Sequence, residues 1–112
     1  MNYILRKNKL NPEDLETVLQ SDLSKGAKLL YTYLFQQRSG EIINNQVLLK
    51  KNVAVSRAMI GNYKRELKSK GLLHENKDMS TNLRFMYLGS LMVAADVFAE
   101  DWKYQTIEED DD

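Results

Sequence analysis

The residues with the clearest capacity for chemistry lie in one amphipathic segment, SRAMIGNYKRELKSKG, which spans positions 56–71. Apolar residues recur there at helical spacing and predict a buried stripe that consists of Val55, Met59, Ile60, Tyr63 and Leu67. The opposite face would carry Arg57, Ala58, Gly61, Asn62 and Arg65. Arginine and asparagine side chains donate hydrogen bonds to base edges and phosphates, and small residues allow a close approach. This face is therefore a candidate nucleic-acid contact.

The ends of this segment are also informative. Ser56 is a predicted helix N-cap, and Gly71 occupies the position that commonly follows the last helical residue. The hydroxyl of Ser56 and the adjacent backbone N–H groups could bind a phosphate. In helix-turn-helix proteins the N-terminal part of the second helix enters the major groove, where Arg suits guanine and Asn suits adenine.

Three further helices are expected before this segment. The first begins at Asn11-Pro12, after a short strand-like stretch at residues 3–5, and ends near residue 22. The second is capped by Ser24 and ends at Ser39-Gly40. The third is short, is capped by Asn44 or Asn45, and leads into a turn at 52–55. Tyr31, Tyr33, Phe35 and Tyr63 are expected in the core.

The hydrophobic period changes after Gly71. Residues 72–75 and 83–88 are strand candidates, and the polar loop 76–82 would join them as a hairpin. His74 is expected to be a partly buried polar residue at its base. A last amphipathic helix would follow within 89–104, with Leu91, Ala95, Phe98 and Trp102 on one face. The acidic residues 105–112 are predicted to be a disordered tail.

The charges are separated along the chain although the 16 basic and 16 acidic residues cancel. Residues 22–88 contain twelve basic and five acidic side chains, a difference of +7. Residues 89–112 contain one basic and eight acidic side chains, a difference of −7. A basic middle section of this kind favours an anionic partner, and the acidic end would compete with it or dock on a basic protein.

Composition excludes several classes of protein. The chain has 112 residues, no Cys and one His, so a disulfide framework and a thiolate metal site are excluded. No phosphate loop, nucleophile–base pair or metal-ligand cluster is present, which predicts a protein that is not an enzyme and uses no cofactor or metal. Neither a signal peptide nor a membrane span is indicated, which predicts a cytoplasmic location.

The segment VSRAMIGNYKRELKSKGLL, residues 55–73, resembles the recognition-helix region of bacterial winged helix-turn-helix proteins. Upstream, LSKGAKLLYTYLFQQRSGEI, residues 23–42, is similar to the first helix of plasmid replication-initiator N-terminal domains and phage replisome-organiser domains. The resemblance implies a mainly α fold with a small β-hairpin, namely a winged helix-turn-helix at 23–88, with residues 1–22 as an N-terminal extension. It also implies DNA contacts by Ser56, Arg57, Ala58, Asn62 and Arg65, to which the wing would add Lys77 and Arg84.

The function expected on these grounds is sequence-specific binding of double-stranded DNA in a plasmid or phage setting. The role would be in replication, segregation or transcriptional control, with helix 56–70 in the major groove. The helix within 89–104 would form a homodimer or fold back on the first helix, and we favour the dimer because a two-fold protein matches a palindromic site. The alternative is a winged domain that binds a protein partner and never contacts DNA.

Overall fold

The structure is a computed structural model that describes residues 1–7 and 9–91. Helix α1 spans Pro12–Leu19, α2 spans Lys25–Gln36, α3 spans Asn45–Lys50 and α4 spans Arg57–Ser69. Strand β1 spans Tyr3–Lys7, β2 spans Ile42–Ile43, β3 spans Leu73–Lys77 and β4 spans Arg84–Leu88. No helix in the described ranges is both long and apolar enough to cross a lipid bilayer.

Side-chain caps fix where the helices begin, and these were predicted correctly. Asn11 and Asp14 form a reciprocal capping box at the start of α1, with Pro12 in the first turn. The side chains of Ser24, Asn44 and Ser56 accept backbone N–H hydrogen bonds at the starts of α2, α3 and α4 respectively. These caps satisfy donors that a helix cannot pair internally, so each helix begins at a defined residue.

The strands form one mixed sheet in the order β2-β1-β4-β3. Strand β1 pairs antiparallel with β2 and parallel with β4, and β3 and β4 form the predicted antiparallel hairpin. The expected helices α1 to α4 and the hairpin are present, but the hairpin belongs to a four-stranded sheet, so the described part of the chain is an α/β fold rather than a mainly helical one. Pairing between residues far apart in sequence leaves no local pattern that would have revealed it.

Residues 1–22, which were expected to be an extension, contribute to the same core as the rest of the chain. Tyr3 and Leu5 of β1 are buried together with Met86 and Leu88 of β4, and Val18 of α1 is fully buried among them. Burial of apolar surface is the main favourable term in folding. The first strand is consequently part of the framework that carries the helices.

The hairpin differs in its boundaries from the prediction. Strand β3 extends to Lys77, so Asn76 and Lys77 belong to the strand and the connecting loop is limited to residues 78–83. The hydrogen bond from the Asp78 backbone N–H to the Leu83 carbonyl closes this loop at 2.7 Å.

Among the residues expected in the last helix, 89–91 are not helical. The remainder of that helix and the tail 105–112 lie outside the described residues.

Candidate nucleic-acid interface

Helix α4 is held against α2 by two contacts from its middle turns. The carboxylate of Glu66 accepts hydrogen bonds from the backbone N–H of Ser24 at 2.6 Å and from its hydroxyl at 2.8 Å. One turn earlier, the ring of Tyr63 lies so close to Gly26 that a Cβ atom there would overlap it. The small residue at position 26 therefore permits the close approach of the two helices, and Glu66 fixes their relative position.

A second set of contacts joins α4 to the sheet. The ammonium groups of Lys64 and Lys68 lie 2.8 and 2.7 Å from the two carboxylate oxygens of Glu75 in β3. Burial raises the pKa of Glu75, but the Lys64 charge and the hydrogen bonds from both lysines outweigh it, so the pKa of Glu75 lies below its usual value. Lys64 also lies 4.9 Å from the ring centre of Tyr3. Two of the basic residues on α4 are thus engaged within the protein.

The opposite face of α4 is exposed. Arg57, Ala58, Asn62 and Arg65 are all solvent-exposed, while Ile60 and Leu67 are buried on the far side of the helix. The guanidinium of Arg65 donates a hydrogen bond to the side-chain oxygen of Asn62, one turn away. Within residues 1–7 and 9–91, no carboxylate forms an ion pair with Arg57 or Arg65. The face predicted to contact nucleic acid is brought together on one rigid helix.

Two predictions at the start of α4 have different outcomes. The hydroxyl oxygen of Ser56 accepts the backbone N–H of Met59 at 3.2 Å, which confirms the N-cap. Val55, in contrast, was expected in the buried stripe and is 82% exposed. It precedes the cap and lies in a bend outside the helix, so the helical period does not apply to it. An exposed Val beside Ser56 could contact a thymine methyl group.

The hairpin places Lys77 and Arg84 opposite each other at its outer end. They are the last register pair of β3 and β4, and both are half-buried. Beyond them, the Asp78 carboxylate accepts hydrogen bonds from the Thr81 hydroxyl and from Ser80, which lower the pKa of Asp78. The tip is therefore ordered by its own side chains, with two cations at its base.

Several exposed residues near this surface were not predicted as contacts. Lys50 and Lys51 lie at the end of α3, directly before the turn to α4, and are exposed. In helix-turn-helix docking the first helix of the motif crosses the phosphate backbone. The position of Lys50 and Lys51 at the end of a short capped helix could therefore have identified them as candidate phosphate contacts from the sequence. Met79 at the hairpin tip is 71% exposed.

The residues expected in the core behave largely as predicted. Tyr31 is fully buried and donates a hydrogen bond to the Gly89 carbonyl at 2.6 Å, while Tyr33, Phe35 and Tyr63 pack partly buried against the same core. His74 is half-buried, and desolvation together with the Lys68 charge lowers the pKa of His74 to about 4. This histidine is neutral at pH 7 and adds nothing to the positive charge.

The residues expected to mediate dimerisation are mostly not described. Leu91 is 36% exposed after the end of β4, and Ala95, Phe98 and Trp102 lie outside the described residues.

Comparison of the chain with protein-family models, curated proteins and solved structures gives no match. The function of the protein is therefore inferred from the geometry of this chain.

Proposed function

We propose that the protein binds double-stranded DNA in a sequence-specific manner, with the exposed face of α4 in the major groove. The observation that carries this proposal is the combination on one fixed helix of Arg57, Asn62 and Arg65, exposed beside the small residue Ala58. Side chains of these types read guanine and adenine edges in the major groove. The contacts of Glu66, Tyr63 and Lys64 on the other sides of α4 hold that reading face in place.

The order of elements supports a winged helix-turn-helix interpretation. The elements α2, β2, α3, α4, β3 and β4 follow one another as in that fold, with α3 and α4 as the motif and the β3–β4 hairpin as the wing. Strand β1 is an addition, because it lies between β2 and β4. A plasmid or phage role in replication, segregation or transcriptional control rests on the sequence resemblance alone.

Contacts to the phosphate backbone of the DNA would come from the cations around the reading face. Five of them are not engaged in the ion pairs of the described residues: Lys50, Lys51, Arg57, Arg65 and Lys77. If each neutralised one phosphate, the slope of log affinity against log salt would be about −4.5. Lys64 and Lys68 would add little, since Glu75 already neutralises part of their charge.

The test begins with selection of duplexes that the full chain binds from a random pool. Fluorescence anisotropy then measures affinity for a selected duplex and for a scrambled duplex of the same composition, across a salt series. The proposal predicts tighter binding to the selected duplex and a slope of several units for both. Failure to bind any duplex at low salt would contradict the proposal and favour the alternative, a winged domain that binds a protein partner.

A further inference from the structure

The sheet has two faces of different character. Tyr3, Leu5, Met86 and Leu88 point into the core with the helices. Successive side chains of a strand point to opposite sides, so the neighbours of these residues form the other face. This outer face, as we call it, consists of Ile4, Arg6, Ile42, His74, Asn76, Phe85 and Tyr87.

The outer face is aromatic and apolar, with a single cation. The ring centres of His74 and Tyr87, and those of Phe85 and Tyr87, are each 6.3 Å apart. The guanidinium of Arg6 lies 5.2 Å from the ring centre of Phe85. Aromatic rings of this kind bury a large apolar area when a second element packs on them.

One polar residue on this side of the sheet is buried. Asn76 pairs with Phe85 in the hairpin and so points to the outer side, yet it is 6% exposed. The helices α1 to α4 supply their buried residues to the core on the opposite side of the sheet. The pKa of His74 is lowered mainly by desolvation, in keeping with its half-buried position.

The chain leaves the sheet at a fixed point directly after β4. The backbone N–H of Gly89 donates to the Leu72 carbonyl at 2.9 Å, and Ser90 is 3% exposed. A helix over 92–104 would be about 20 Å long, and a four-stranded sheet is about 14 Å from its first to its last strand. One helix of that length is sufficient to cross the outer face.

The sequence of this segment matches the surface. Leu91, Ala95, Phe98 and Trp102 are spaced by four, three and four residues, which gives a single apolar stripe on a helix. The same segment contains Asp96, Glu100 and Asp101 but only one basic residue, Lys103. Its charge is therefore complementary to the exposed Arg6 on the outer face.

We propose that the outer face of the sheet binds the segment 92–104 of the same chain, with Phe98 and Trp102 packed among Phe85 and Tyr87. This assignment differs from the expected dimer, because it uses the apolar stripe within one chain. It also places the segment on the opposite side of the sheet from the core that carries α4. The inference does not depend on DNA binding.

Trp102 is the only tryptophan of the chain and reports directly on this contact. The measurement is its emission spectrum and its quenching by acrylamide in the full chain, over a wide range of protein concentration. The proposal predicts a blue-shifted, protected tryptophan at every concentration, with a monomeric mass by light scattering. A water-like spectrum would overturn it, as would protection that develops only together with dimerisation.

Substitutions locate the contact. Phe85→Asp is expected to shift the emission to the red and to raise the quenching constant several-fold, because a carboxylate on the outer face would expel the apolar stripe. The matched control is Leu29→Asp, which places the same charge on the exposed surface of α2. If circular dichroism shows that Phe85→Asp is unfolded, Ile42→Asp on the exposed edge strand replaces it. A folded outer-face variant with an unchanged spectrum would overturn the proposal.

Discussion

The two sides of α4 contain similar residue types that have different partners. On the inner side, Lys64 and Lys68 bind Glu75 and the ring of Tyr63 packs on Gly26. On the outer side, Arg57 and Arg65 are exposed, and neither has a carboxylate partner among the described residues. The number of basic residues on a helix therefore does not measure its capacity for an anionic ligand, because some of them stabilise the fold.

The largest difference between the two sides should appear in stability. Leu67→Ala removes a fully buried side chain and is expected to lower the free energy of unfolding by about 2–5 kcal/mol. Asn62→Ala on the exposed side is the control, with an expected change within about 0.5 kcal/mol. Urea denaturation of both variants measures the difference. Equal losses would mean that the two sides of α4 are not distinguished by packing as described.

Glu75→Gln tests whether Lys64 and Lys68 form stabilising ion pairs within the protein. Hydrogen bonds to a charged group contribute about 1.5–3 kcal/mol, so the variant should be less stable than the native protein at pH 7 by about 1–3 kcal/mol. The pKa of Glu75 is lowered in the folded state, so its contribution is present above the unfolded pKa and is lost as pH falls through the folded pKa. The stability gap should therefore close in acid, as thermal melts at several pH values would show. A gap that persists in acid would contradict the ion-pair explanation.

Gly26→Ala tests the close approach of α2 and α4. The added methyl group displaces the ring of Tyr63, which we expect to cost about 2 kcal/mol, while the better helix propensity of Ala returns up to about 1 kcal/mol. The net loss in the free energy of unfolding is then about 1 kcal/mol. In a Tyr63→Ala background the ring is absent, so the same substitution should become stabilising. A double-mutant cycle measures this reversal of sign, and its absence would show that the ring does not occupy the space above Gly26.

The smallest effect concerns the wing. Lys77→Ala is expected to weaken binding to all duplexes alike by less than about 1 kcal/mol and to reduce the salt slope by about 1. Arg38→Ala removes the same charge from an exposed site at the end of α2 and should leave the slope unchanged. Anisotropy titrations across a salt series compare them. A loss limited to one duplex sequence would instead assign Lys77 to base recognition.

Local chemistry made the helices of this protein predictable from sequence. Asn11, Ser24 and Ser56 are caps whose hydrogen bonds reach only two or three residues, so the pattern and its cause lie side by side in the chain. The exposed side of α4 was also predictable from local sequence, because the helical spacing of the buried residues Ile60 and Leu67 defines the opposite side.

The missed features depend on residues that are distant in sequence. Strand β1 pairs with β4 some eighty residues away, and nothing in either stretch specifies the other. The role of Glu75 as partner of both lysines required the hairpin to be placed against α4. Val55 was assigned to the core because the helical period was extended past the cap at Ser56, where it no longer holds.

The most direct test of the central claim compares Arg65→Ala with Lys68→Ala. Both variants remove one positive charge from α4, but Arg65 lies on the proposed reading face and Lys68 binds Glu75. Anisotropy with the selected and scrambled duplexes at one salt concentration gives the discrimination of each protein. We predict that Arg65→Ala loses about 1–3 kcal/mol of discrimination and that Lys68→Ala retains it. Equal discrimination by the two variants would contradict the assignment of the exposed face of α4 to base recognition.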